Sequence, residues 1–211
     1  MRTKIYLLLG LLVLAAAWWG PLPELARQAF SAHMAMHMAV VAVAAPLLAL
    51  ALSRSRLDPV RWRPGWFAAV PLSIGELLVV WTWHAPGLHE AARLHPGLLV
   101  VEQAMFLSAG LLVWTAALGG DPWRHRDRAG AGVVALLLTS MHMTLLGALL
   151  ALSPRPLFEH VEACQVLSPL EDQHLGGAIM LVVGGVSYLA GGLALTVPLL
   201  RTQAHAKEVR A

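Results

Sequence analysis

Six long apolar runs, separated by short segments that hold nearly all of the charge, decide what this chain can become. They are Ile5–Trp19, Ala35–Leu52, Trp66–Trp83, Leu98–Leu118, Ala131–Leu152 and Gly176–Leu200. A helix needs roughly 20 apolar residues to cross the hydrocarbon core of a bilayer. In lipid the backbone must satisfy its own hydrogen bonds, and a helix does so within one segment. The runs therefore predict an all-α polytopic transmembrane helix bundle of about six spans. Composition agrees. Only 13% of the 211 residues are charged and 58% are hydrophobic, with a mean hydropathy of +0.66. A soluble chain carries about a quarter charged residues. No Ser/Gly linker or low-complexity tract divides the sequence, so 1–211 reads as a single integral membrane domain.

The connections set the orientation. Arg2 and Lys4 precede the first run, and Arg54, Arg56, Arg61 and Arg63 lie between the second and third. Arg124, Arg126 and Arg128 lie between the fourth and fifth, and Arg201, Lys207 and Arg210 follow the sixth. The opposite side holds only Arg27, Arg93 and Arg155. The positive-inside rule makes the basic side cytoplasmic, with both termini inside. The pI of 9.6 thus reflects topology and gives no reason to expect nucleic acid as a partner. Lipid is the expected surround, and the basic loops serve as topology determinants. In the first run a basic start and Ala15-Ala16-Ala17 are compatible with a cleaved signal peptide, whereas Trp18-Trp19 fits an interfacial belt; the retained anchor is favoured.

Histidine divides the other way. Eight of the ten histidines fall on the outer side or within the membrane. The densest cluster is His33-Met34-Ala35-Met36-His37-Met38, at the mouth of the second run. His33 and His37 are four apart, which stacks them on one helix face; Met34 and Met38 form a second such pair. Intramembrane ionisable residues are costly and mark functional sites by default. Imidazole together with thioether suits cuprous copper, whereas zinc would leave the methionines unexplained.

Other candidates are less specific. His84 follows Trp81-Thr82-Trp83 at the outer end of the third run and is the best third ligand. His89 and His95 come next, in a connection where solvation is expected. His142, between Met141 and Met143, lies near mid-depth in the fifth run and needs a partner: a metal, a relay or a hydrogen bond. Asp172-Gln173-His174 precedes the sixth run. Asp172 is expected to cap that helix, and Asp172 with His174 can also ligate or orient a metal. Glu76 is expected to make structural hydrogen bonds, and Glu102 to support the outer site. Gly176-Gly177, Gly184-Gly185 and Gly191-Gly192 form a smooth packing stripe. Phosphate-binding loops and nucleophile elbows are absent from the sequence. Cys164, four residues after His160, is a weak thiol pair.

Four stretches together resemble the CtaG-type cytochrome c oxidase assembly proteins, a polytopic bacterial family. They are His33-Met34-Ala35-Met36-His37-Met38 running into Ala45-Pro46-Leu47-Leu48; Trp83-His84-Ala85-Pro86-Gly87-Leu88 with Ala91-Ala92; Glu102-Gln103 with Phe106 and Trp114; and Asp172-Gln173 with Gly176-Gly177 and Met180. Gln103 stands where the family commonly carries histidine. The resemblance implies the bacterial inner membrane and cytochrome c oxidase subunits as partners. It supports His33, His37, His84 and Asp172 as functional. Joined to the residue chemistry, it leads to an expected role in receiving or relaying copper, as Cu(I), at the periplasmic face, from a periplasmic copper donor. Met34, Met38, His142 and His174 are auxiliary candidates. No bond-making catalysis is expected. Three alternatives stay open: a haem-binding electron-transfer bundle using His37 and His142, a proton pathway through Glu76, His142 and Glu102, and a metal-free scaffold for oxidase subunits.

Overall fold

The computed structural model describes residues 2–53, 55–120, 126–158 and 167–208, with backbone only at 198 and 201–208. Helix α1 is Arg2–Trp19, and the short α2 is Leu22–Gln28. Helix α3 is Phe30–Ser53, with a π-helical turn over Ala39–Ala44. A four-residue α4, Pro59–Trp62, leads to α5, Ala69–Trp83. The short α6 is Pro86–Leu94, and α7 is Pro96–Leu118. Helix α8 is Arg126–Ala151. Helix α9 covers Pro169–Val197 in its apolar part, with a π-helical turn over Met180–Gly184. Among the described residues there is no strand.

Five of these helices, α1, α3, α7, α8 and α9, are long and apolar enough to cross a membrane. The third expected span is shorter. Pro64–Trp66 forms one 3-10 turn, and α5 begins only at Ala69. Its 15 residues rise about 22 Å at 1.5 Å per residue, short of the roughly 30 Å hydrocarbon core. Leu7, Leu8, Leu12, Val100, Leu145, Leu149, Val186 and Leu193 are exposed around the bundle, an apolar girdle suited to lipid and unlike the surface of a soluble monomer. Two spans start earlier than their apolar runs. Helix α3 begins at Phe30, placing His33 and His37 inside the helix and not at its mouth. Helix α9 begins at Pro169, behind a capping box in which Ser168 and Glu171 bond reciprocally.

Small residues let the helices meet. A Cβ on Gly147 of α8 would lie 2.7 Å from the Leu181 nitrogen, and one on Gly177 of α9 would lie 2.5 Å from the Ala151 nitrogen. This close crossing bears out the packing role of the glycine stripe. The two π turns are stitched in the same way. Such a turn interrupts the regular carbonyl ladder. Ser187 donates to the Ala42 carbonyl in the first at 2.6 Å, and Ser140 donates to the carbonyl of Gly185, the residue just after the second, at 3.2 Å. Helix alternation puts the outer ends of α1, α3, α5, α7, α8 and α9 together, opposite the arginine-rich connections. The short helices α2 and α6 also lie at this end, called the histidine end below.

Candidate metal centre

Helix α3 carries the first pair. His33 and His37, one turn apart, have ring centroids 4.3 Å apart at 86°, and each is only 1% exposed. Helix α7 supplies Glu102, which is fully buried between them. Glu102 Oε2 lies 3.2 Å from His33 Nε2, and Glu102 Oε1 lies 3.4 Å from His37 Nε2. One ligand atom from each of the three residues falls within 4.8 Å of the others. The carboxyl expected in a supporting role thus sits inside the cluster.

Hydrogen positions follow from the partners. Trp18 Nε1 can only donate, and it donates to Gln103 Oε1 at 3.3 Å. That turns the Gln103 amide nitrogen toward His37 Nδ1, 2.8 Å away. His37 therefore accepts at Nδ1, and its own hydrogen sits on Nε2, facing Glu102. Turning the amide over would reverse this and expose a lone pair at Nε2, at the expense of the bond to Trp18. Gln103 also borders an apolar cavity of about 600 Å³ between α1, α2 and α7.

His84, at the end of α5, is similarly fixed. Its Nδ1 donates to the Val80 carbonyl at 2.7 Å, leaving Nε2 with a lone pair. That nitrogen faces Met34 Sδ at 3.3 Å. Neither atom brings a hydrogen to the contact: a borderline nitrogen donor and a soft sulfur donor face each other, each with a lone pair. Trp83 steadies the end of α5 by donating from Nε1 to Met105 Sδ on α7 at 3.3 Å.

The structure corrects the expectation for His89. It is 1% exposed, on the inner face of α6. Its ring lies 4.4 Å from that of His33 and 4.6 Å from Phe158, which stacks on Phe30. Burial, and then the neighbouring His33, hold its imidazole well below the usual histidine range. It is therefore neutral at pH 7. Arg93, one turn on, anchors the helix by donating to the Arg27 carbonyl at 3.0 Å. The missed signal was the i, i+4 pair of Leu88 and Ala92 behind Pro86, a short amphipathic helix inside a nominal loop. His95 is exposed, as expected.

Asp172 also departs from expectation. Ser168 caps its own helix, while Asp172 reaches across to α3, accepting from Phe30 N at 2.6 Å and Ser31 N at 3.1 Å. The N-cap residue of α3, Ala29, has no side chain for this task. Asp172 thus sets where the His33 helix begins. Gln173 accepts from Leu157 N at 2.6 Å, and His174 Nε2 bonds the Ser153 carbonyl at 2.9 Å. Both secure the end of α8 and lie outside the cluster. Met38 points to Gly184 beside Met143. His142 is buried and makes none of the ring contacts that join His33, His37, His84 and His89. His160 and Cys164 lie outside the described residues.

A family model described as cytochrome c oxidase caa3 assembly factor (Caa3_CtaG) matches residues 1–202. The chain belongs to the Caa3_CtaG family. No curated protein and no solved structure matches it. In this Caa3_CtaG protein the four stretches that carried the resemblance converge. The α3 histidines, His84 before Pro86, Glu102-Gln103 and Asp172 all gather at the histidine end, although they span 140 residues of sequence.

Proposed function

We propose that this cytochrome c oxidase assembly factor receives a cuprous ion at its histidine end, on the periplasmic face of the bacterial inner membrane, and passes it to the oxidase. The observation that carries this reading is the pairing of His84 Nε2 with Met34 Sδ, two free lone pairs 3.3 Å apart. Soft and borderline donors of this kind favour Cu(I) over harder ions. One carboxylate, Glu102, lies beside the donors and offsets part of the positive charge that a bound cation brings into this buried place. The place is buried but close to the outer helix ends, as a transfer site requires. Copper here is cargo, received and released, and no covalent chemistry is asked of the protein.

Anaerobic cuprous titration of the purified wild type, beside a His33→Ala/His37→Ala/His84→Ala variant, tests the reading. The variant is expected to lose binding, and the oxidase in cells carrying it is expected to lack copper. Wild type that takes up no copper overturns the proposal. So does oxidase copper that stays normal in the variant, which is the result for a metal-free scaffold. A Soret band in the purified protein would point instead to haem.

A further inference from the structure

We propose that His89 and His33 form a second, outer cuprous position, separate from the one at His84 and Met34. This rests on the function proposed above and extends it to two ions. His89 is the most weakly satisfied imidazole in the cluster. Both its nitrogens are buried without a hydrogen-bond partner among the described residues. A buried polar group left unpaired carries the cost of its lost hydration, and natural structures keep few of them without a reason. Packing alone does not supply one. The pocket between Phe30, Phe158 and His33 would accept a leucine, with no polar atom to desolvate.

His33 completes the pair. Its Nε2 is held at Glu102, 3.3 Å from Oε1 and 3.2 Å from Oε2, while its Nδ1 has no partner among the described residues. A carboxylate holding one imidazole nitrogen so that the other can ligate is a recurring arrangement around metal-bound histidine. The two positions are then built alike. At the inner one the Val80 carbonyl holds His84 Nδ1, and Nε2 is free; at the outer one Glu102 holds His33 Nε2, and Nδ1 is free. Since no hydrogen bond among the described residues holds His89, its ring can turn to share an ion with His33 without breaking one. Copper binds lone pairs that are already free in both places, so no proton or electron moves and the ion stays cuprous. His37 lies between them, 4.3 Å from His33 and 5.9 Å from His84 by ring centroids. His89 is carried on α6, outside the spanning helices and under the Phe30–Phe158 stack, so the outer position is the one nearer the aqueous face.

Stoichiometry decides the matter. Anaerobic titration of the full-length protein with Cu(I), supplied as a coloured chelate, is read as ions bound per chain. Wild type is expected to bind about two ions, and His89→Leu about one. X-ray absorption on the leucine variant should retain the sulfur neighbour from Met34. Equal stoichiometry in the two proteins, or a single ion in wild type, overturns the second position while leaving the function proposal intact. Wild type that binds no copper defeats the function proposal itself. If His89→Leu does not fold, as judged by circular dichroism, His89→Gln takes its place: it keeps hydrogen-bonding capacity but offers cuprous copper no imidazole donor.

Discussion

Two of the buried polar clusters among the described residues are finished to different degrees. Near mid-membrane, Glu76 on α5 accepts from the Tyr188 hydroxyl on α9 and is bonded to Thr139 on α8 at 3.1 Å. Thr139 meets Ser73 at 2.8 Å, and Ser73 donates to the Ala135 carbonyl at 3.1 Å. Both carboxyl oxygens and all three hydroxyls have partners, and three helices are tied together. At the histidine end, by contrast, His33 Nδ1 and both nitrogens of His89 have none among the described residues. The two clusters are equally buried. A closed network holds helices in place; an open one at the same burial is stable only at a cost, and it has capacity left for a ligand.

The largest test of this contrast is metal itself. Cu(I) at about 1,000 times its dissociation constant should stabilise wild type by about 4 kcal/mol, read as a shift in thermal unfolding in detergent. The His33→Ala/His37→Ala/His84→Ala variant should show no shift. The closed cluster should respond in the opposite way. Glu76→Leu strands the Tyr188 and Thr139 hydroxyls and should cost about 3 kcal/mol, with copper uptake per folded chain unchanged. If Glu76→Leu also removes copper binding, the two clusters are one functional unit and the comparison fails.

Smaller effects sharpen the division. Asp172→Ala removes a cap from α3 and should cost about 2 kcal/mol. It should also weaken copper binding, because the helix that carries His33 begins at that cap; unchanged affinity would show that the start of α3 is held by other means. Gln103→Glu should tighten copper binding by about tenfold. A carboxylate can accept from both Trp18 and His37 Nδ1–H, leaving the His37 Nε2 lone pair for the metal; weaker binding would show that His37 serves only as a hydrogen-bonding neighbour. Last, Glu76→Gln should change stability by less than about 1 kcal/mol. The Tyr188 hydroxyl turns its single hydrogen to Glu76 and to the Val41 carbonyl; the other three bonds of the cluster need three hydrogens, and the Thr139 and Ser73 hydroxyls supply two. A carboxylic acid provides the third, and so does a glutamine amide. A large loss on Glu76→Gln would mean that a charged carboxylate is required.

Much of the site was legible from spacing. The i, i+4 rule alone puts His33 and His37 on one helix face, and the tryptophans preceding His84 indicate its depth. The central place of Glu102 was not legible, because one carboxyl near the end of an apolar run looks the same whether it faces a neighbour or the interior. Asp172 reads as a cap from its position ahead of an apolar run, but nothing local reveals that it caps a different helix. His89 was hidden because nine residues in a connection carry too weak a pattern to separate a docked amphipathic helix from a solvated loop. Met38 and His142 share the composition of the site without its location.

What the sequence by itself determined is the solvent and the separation of histidine from arginine. Apolar length, loop charge and the alternation of the two residue types are properties along the chain, and a bilayer reads them one segment at a time. Which donor atoms share a pocket was decided only by tertiary structure. Each residue turns a helix face by roughly 100°, so small shifts in rotation or register choose among neighbours. Here those shifts are set by contacts between distant segments: Gly147 against Leu181, Ser187 on the Ala42 carbonyl, and Asp172 on the first turn of α3.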